Sequence, residues 1–171
     1  NIENMKKVLD NVDYSKFEIQ ISYDGRLIND IFRITHTKNS SADKVLETFK
    51  YIAEKGINVF FKSTIPNNSI NYLFETWLNF EQLHNEYKDF KNVRISFAPT
   101  IDYTMIPSEE EKKEKVQVFR EQILKIAKKE LEFYKENNRF LMTWFGSKNE
   151  KTNCSAGLNM VSIDVDGKSY A

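Results

Sequence analysis

The sequence predicts an α/β fold with three parallel strands separated by helices and followed by a β-hairpin. Three observations predict it. Short β-branched and aromatic runs alternate with longer stretches whose apolar residues recur at helical spacing. Strands joined by helices imply right-handed crossovers, and so a parallel sheet. The tail then changes to a two-residue period broken by an Asp-Gly turn, the mark of a hairpin.

The elements follow in order. Asn4 to Val12 reads as the end of a helix. Phe17-Glu18-Ile19-Gln20-Ile21-Ser22 alternates as a strand does and stops at Asp24-Gly25, a turn pair. Ser40-Ser41-Ala42-Asp43 fits a capping box. Val45, Leu46, Phe49, Ile52 and Ala53 then share a helix face, and Gly56 stands where a C-terminal helix glycine belongs. Ile57 to Ile65 is a second strand, ended by Pro66. A helix from about Ser69 to Tyr87 carries Ile70, Leu73, Phe74, Trp77 and Leu78 on one face. Val93 to Ala98 is a third strand, closed by Pro99. Ser108 and Glu111 form a second capping box at the head of a helix running to about Asn137. Val116, Phe119, Ile123, Ile126, Ala127 and Tyr134 are expected on its inner side. Beyond Asn149, Val161-Ser162-Ile163 alternates and Asp166-Gly167 turns.

Composition narrows the function classes. The 171 residues suffice for one domain with a real core. Lysine plus arginine equals aspartate plus glutamate, 25 against 25. That balance points away from nucleic acid and from anionic membranes. No apolar run is long enough to span a bilayer, and the N-terminal stretch lacks a signal-peptide core. One cysteine, Cys154, cannot form an internal disulfide, which fits a reducing compartment. No GxxxxGK[ST] or GxGxxG follows a strand, which argues against a nucleotide-binding wound sheet. His36 and His84 have no Cys or His at metal spacing and read as ordinary residues. Trp77, Phe74 and Tyr72 read as core.

Ile21-Ser22-Tyr23-Asp24-Gly25 resembles the fourth strand of radical S-adenosylmethionine (SAM) barrels. In the sulfatase-maturase-like and peptide-modifying branches an Asp and an Arg follow, here Asp30 and Arg33. A helix of the type Asp43-Lys44-Val45-Leu46-Glu47 through Glu54-Lys55-Gly56 comes next. Asn58 to Ile65 resembles the fifth strand and Val93 to Pro99 the sixth. The tail is similar to the start of a SPASM region, which opens with a Cys, a spacer, a Gly, four residues and a second Cys. Cys154 is followed by twelve residues, Gly167 and then Lys168 to Ala171. Asp164-Val165-Asp166-Gly167-Lys168-Ser169-Tyr170 resembles the hairpin text of that family. The loop between Arg33 and the next helix departs from the family in having no glycine.

The resemblance implies a partial (β/α)6 barrel over residues 1–149, its C-terminal half, with the SPASM-type region starting at 150–171. It implies that the parent protein is a cytoplasmic enzyme using SAM and [4Fe–4S] clusters to abstract hydrogen from a peptide or protein. Nucleic acid and membrane are not expected as partners. The cysteine loop that holds the SAM cluster is not in this chain, nor are the first three strands. The fragment itself is therefore expected to bind neither cofactor and to be inactive, and its exposed sheet edges are expected to favour self-association. Among site residues the resemblance assigns Ser22 to the SAM ribose, where a hydroxyl suits a diol. It assigns Arg33 to the SAM carboxylate, which suits a guanidinium fork. Asp24 is expected to orient the same site. Thr64, Thr100 and Ile101 stand near the nucleoside side, and Cys154 is an iron–sulfur ligand in the intact parent. The bland alternatives are a backbone-bonded Ser22, an Asx turn at Asp24, and an Arg33–Asp30 surface pair. At the level of the whole chain, the alternative is a non-catalytic α/β binding or structural module.

Overall fold

A computed structural model describes residues 2–11, 13, 18–34, 40–88, 95–102, 108–145, 162–163 and 169–170. Helix α1 (Ile2–Leu9) precedes strand β1 (Glu18–Ser22). Helices α2 (Arg26–Phe32) and α3 (Ala42–Glu54) lead to β2 (Asn58–Pro66). A 3₁₀ segment, Asn67–Tyr72, feeds α4 (Leu73–Tyr87). Strand β3 (Ile95–Asp102), helix α5 (Glu109–Asn137) and a short 3₁₀ turn, Thr143–Phe145, follow. Strands β4 (Ser162–Ile163) and β5 (Ser169–Tyr170) pair antiparallel, as the hairpin reading expects.

The sheet is parallel, in the order β1-β2-β3. Its two faces differ sharply. Val59, Phe61, Ser63, Ile65, Ile95 and Phe97 are buried, whereas Glu18, Gln20, Ser22, Lys62 and Thr64 are exposed. The two-residue period of a strand therefore sorts apolar groups under the helices and polar groups onto an open face. Aromatic rings fill the covered side. Phe61 lies 5.2 Å from Phe49 and 5.1 Å from Phe80, and Phe80 stacks on Phe97 at 4.3 Å between centroids. Such pairs add about 0.5–1.5 kcal/mol each beyond the area they bury.

Two of the polar groups built into this core, Glu130 and His84, tie α5 and the segment after it to α4. Glu130 on α5 is fully buried. It accepts from Trp77 Nε1 at 2.5 Å, Met142 N at 2.7 Å and Leu141 N at 2.9 Å. Burial raises its pKa, and the three donors oppose that. The carboxylate fastens the segment after α5, and Phe97 N donates to Leu141 O there. Phe97 and Met142 thereby form a parallel bridge on the outer edge of β3. His84 is the other group. Arg139 Nη2 lies 3.2 Å from its Nδ1, and a guanidinium can only donate, so Nδ1 accepts. Nε2–H then donates to Asn137 Oδ1 at 3.0 Å. The ring is neutral, and burial lowers its pKa, helped by nearby Arg139 and Lys88.

Several sequence expectations are met. Ser108 Oγ accepts from Glu111 N at 3.1 Å, and Gly56 has φ +73° beyond α3. Others need correction. Helix α2 is absent from the sequence reading. Ser41 makes no side-chain cap; Ser40 Oγ accepts from Ala42 N instead. β3 does not close at Pro99 but runs on to Asp102. Phe97 N points to the outer edge, so the missing N–H of Pro99, two residues on, falls on that same edge and costs the β2 ladder nothing. Val116 and Tyr134 are exposed, and Gln122, Glu130 and Phe133 take the inner side of α5.

Two outcomes follow. Glu130→Gln sets an amide NH2 against a backbone N–H. It should cost about 1–3 kcal/mol in chemical denaturation, the cost of a buried group left unsatisfied. Because the folded pKa of His84 is depressed, its contribution is present above the usual histidine range and is lost as pH falls through the folded value. Denaturation midpoints should fall with acidity below about pH 6.5, and a variant lacking His84 should show a shallower slope.

Candidate functional site

Ligand groups in parallel α/β sheets gather at the C-terminal ends of the strands. Here β1 turns away early. Its last ladder bond is Tyr23 N to Lys62 O at 3.1 Å. Gly25 then adopts φ +87° and ψ 153°, a region open to glycine, and an added Cβ would meet Thr76 at 3.3 Å. The chain enters α2 at once. β2 continues to Pro66, so the Thr64 N–H loses its strand partner.

The Asp24 carboxylate takes that place. Oδ1 accepts from Thr64 N at 2.7 Å. The same carboxylate is forked by Arg33, with Nε to Oδ2 at 2.5 Å and Nη2 to Oδ1 at 3.1 Å. Asp24 is 3% exposed, so the pair acts where water screens it poorly. Asn29 supports it from α2. Asn29 Oδ1 accepts from Asp24 N at 3.1 Å, and its Nδ2 donates to Ser41 Oγ at 2.9 Å. Ser63 Oγ donates to Tyr23 O at 2.7 Å, and Thr76 Oγ1 to Asp24 O at 3.3 Å. Tyr23 is wholly buried. Its hydroxyl donates to Asn79 Oδ1, and burial pushes its pKa up to about 12.

Of the residues singled out in the sequence, Ser22, Asp24, Arg33 and Thr64 come together at this strand end. Ser22 is exposed on the open face, in register with Lys62. Thr64 is exposed as well, while its backbone serves Asp24. Thr100 and Ile101 occupy the β3 positions in register with Thr64 and Ile65. Cys154 and His36 lie outside the described residues. The proposed Arg33–Asp30 pair does not form: Arg33 is drawn to the buried Asp24, and Asp30 accepts from Ser40 Oγ. The Asx turn at Asp24 gives way too, since its oxygens reach across to β2 and α2. A groove of about 410 Å³ opens beside the turn, between Arg26, Leu27 and Asp30 of α2 and Glu75, Thr76 and Asn79 of α4.

Sequence reasoning passed over Lys62 and Asn29. Lys62 was legible as a charged residue in an otherwise apolar and small-polar strand. Asn29 lacked any signal, because α2 itself was missed. Among the described residues no three His, Cys, Asp or Glu side chains converge as a metal would require, and no helix is long and apolar enough to cross a membrane. No family model matches the chain, and no curated protein matches it.

Asp24→Asn keeps the size but places an NH2 against Arg33. Breaking a buried pair costs about 3–5 kcal/mol. Because the Arg33 side chain is 36% exposed, we expect about 2–3 kcal/mol by urea denaturation.

Proposed function

We propose that this chain is the C-terminal half of a radical SAM barrel joined to the start of a SPASM-type region, in an enzyme acting on a peptide or protein. The observation that carries the reading is the one-sided winding of the sheet. Three parallel strands follow in sequential order, their helices cover one face, and the other face is polar and open. Crossovers of one hand that always return on the same face curl a sheet toward a barrel, whose helices lie outside. A doubly wound sheet would place helices on both faces. The bridge from Phe97 to Met142 carries the same winding one step beyond β3.

The fit of this chain to the cofactors is partial. Ser22 offers an exposed hydroxyl at a strand end, which suits a ribose diol. Arg33 already forks Asp24, so its role toward a SAM carboxylate is confined to the part of the guanidinium that Asp24 leaves. An iron–sulfur cluster needs several thiolates, and Cys154 supplies one. The remaining ligands belong to other parts of the parent. When bound, SAM and its cluster supply the 5′-deoxyadenosyl radical. The part of this chain is to position: Ser22 and Thr64 present hydroxyls, and the Asp24–Arg33 pair keeps both strand ends in place.

Two measurements test the reading. The parent gene should encode a CxxxCxxC loop upstream, and its absence removes the enzyme reading; it should also encode a cysteine directly after Ala171, and another residue there removes the cluster role of Cys154. The anaerobically reconstituted parent should release 5′-deoxyadenosine, and Ser22→Ala should lower the rate about tenfold, the effect of one hydrogen bond of about 1.4 kcal/mol. The 171-residue chain alone should release none.

A further inference from the structure

We infer that Lys62 marks a carboxylate-binding site on the open face of the sheet, with Ser22 and Thr64 as its hydroxyl partners. The ligand class is a peptide carboxylate, from an acidic side chain or a C-terminus. That the carboxylate belongs to a peptide rests on the function proposed above; the site itself rests on the following geometry.

Lys62 occupies the middle of β2, the central strand. Strand interiors disfavour lysine, and lysines that guard a sheet against aggregation stand on edge strands. Neither packing nor edge protection accounts for it here. It is exposed, and among the described residues no carboxylate forms an ion pair with it. Asp24, at the same end of the sheet, is spent on Arg33 and Thr64 N. Among the described residues the ammonium is thus unmatched by a carboxylate, level with the C-terminal end of β1, on the side of a parallel sheet where ligands gather.

Its neighbours suit an anion with two oxygens. Ser22 is the register partner of Lys62 on β1. Adjacent strands run about 4.8 Å apart, within reach of one carboxylate. Thr64 stands on the same face two residues further, about 6.6 Å along the strand. Each hydroxyl can donate to an oxygen whose charge Lys62 balances, and Ser22 keeps its lone pairs to accept from the ribose hydroxyls of the function proposed above. Phe60, half-buried on the same face two residues before Lys62, supplies apolar surface below the charge.

The test uses the 171-residue chain with 13C-labelled lysine methylenes and 15N-labelled amides, observed by NMR; the Ser22 and Thr64 amides report binding in the variants that lack Lys62. Three probes separate the sources. N-acetyl-Gly-Glu-Gly-amide carries only a side-chain carboxylate, N-acetyl-triglycine only a terminal one, and N-acetyl-triglycine-amide none. At constant ionic strength, one or both carboxylate peptides should shift the Lys62 signal saturably, and the amide should not. Lys62→Met should weaken that binding about three- to fivefold, as loss of one partly exposed ion pair does, and Lys62→Arg should restore most of it. Lys62 is exposed, so folding is retained in both variants, and matching denaturation midpoints verify that. Equal movement of all lysines, equal effects of the amide peptide, or unchanged binding by Lys62→Met would overturn the inference. A parent gene without the cysteine loop, together with Lys62-dependent binding, would remove the radical SAM reading and leave this site standing.

Discussion

A single carboxylate closes the sheet where its backbone cannot. β1 ends two residues before Asp24, yet β2 continues past that point. Asp24 Oδ1 accepts the Thr64 N–H that a longer β1 would have taken. The position is demanding. A nearly buried carboxylate without a cation would be costly to desolvate. Arg33, at the far end of α2, supplies that cation in a fork. Helix α2 is therefore placed by electrostatics as much as by packing, and Asn29 in its middle fixes the Asp24 backbone.

The same tie shapes the open face. If β1 ran on, Gly25 and its sharp turn would be unnecessary. Because the chain leaves the sheet at Gly25, the end of β2 stands proud of β1, with Thr64 beyond Ser22 and Lys62. The polar residues there owe nothing to the core, which is filled from the other side by Phe49, Phe61, Phe80 and Phe97. A face freed from packing is one on which binding groups can be chosen for their chemistry. Ser22, Lys62 and Thr64 are two hydroxyls and an ammonium, a set that fits oxyanions and diols better than it fits any apolar partner.

The sequence carried the larger elements well, because they depend on local periodicity. Alternation from Phe17 to Ser22, the β-branched and aromatic run from Ile57 to Ile65, helical spacing from Val45 to Ala53, and the Ser108 cap all express nearest-neighbour physics, and β1, β2, α3 and the cap answer to them. The hairpin after Asn149 was legible from Asp166-Gly167 for the same reason. The misses have other causes. α2 has seven residues, too few for periodicity to separate from a loop. Asp24 reads as a turn former until β2, forty residues later, is laid beside it. Glu130 sits on a helix rich in exposed lysine and glutamate, and only its bonds to Trp77, Leu141 and Met142 set it apart. Pro99 reads as a terminator unless the strand's outer edge is known. Asp24 and Glu130 owe their places to polar contacts with other elements, which no local pattern encodes.

The amide of Thr64 tests this account most directly. Its side chain is exposed, and β1 offers it no backbone acceptor. If Asp24 stands in for the strand, hydrogen exchange at Thr64 N–H will be as slow as at the paired β2 amides around Phe61. Exchange at the rate of an open loop amide would contradict it.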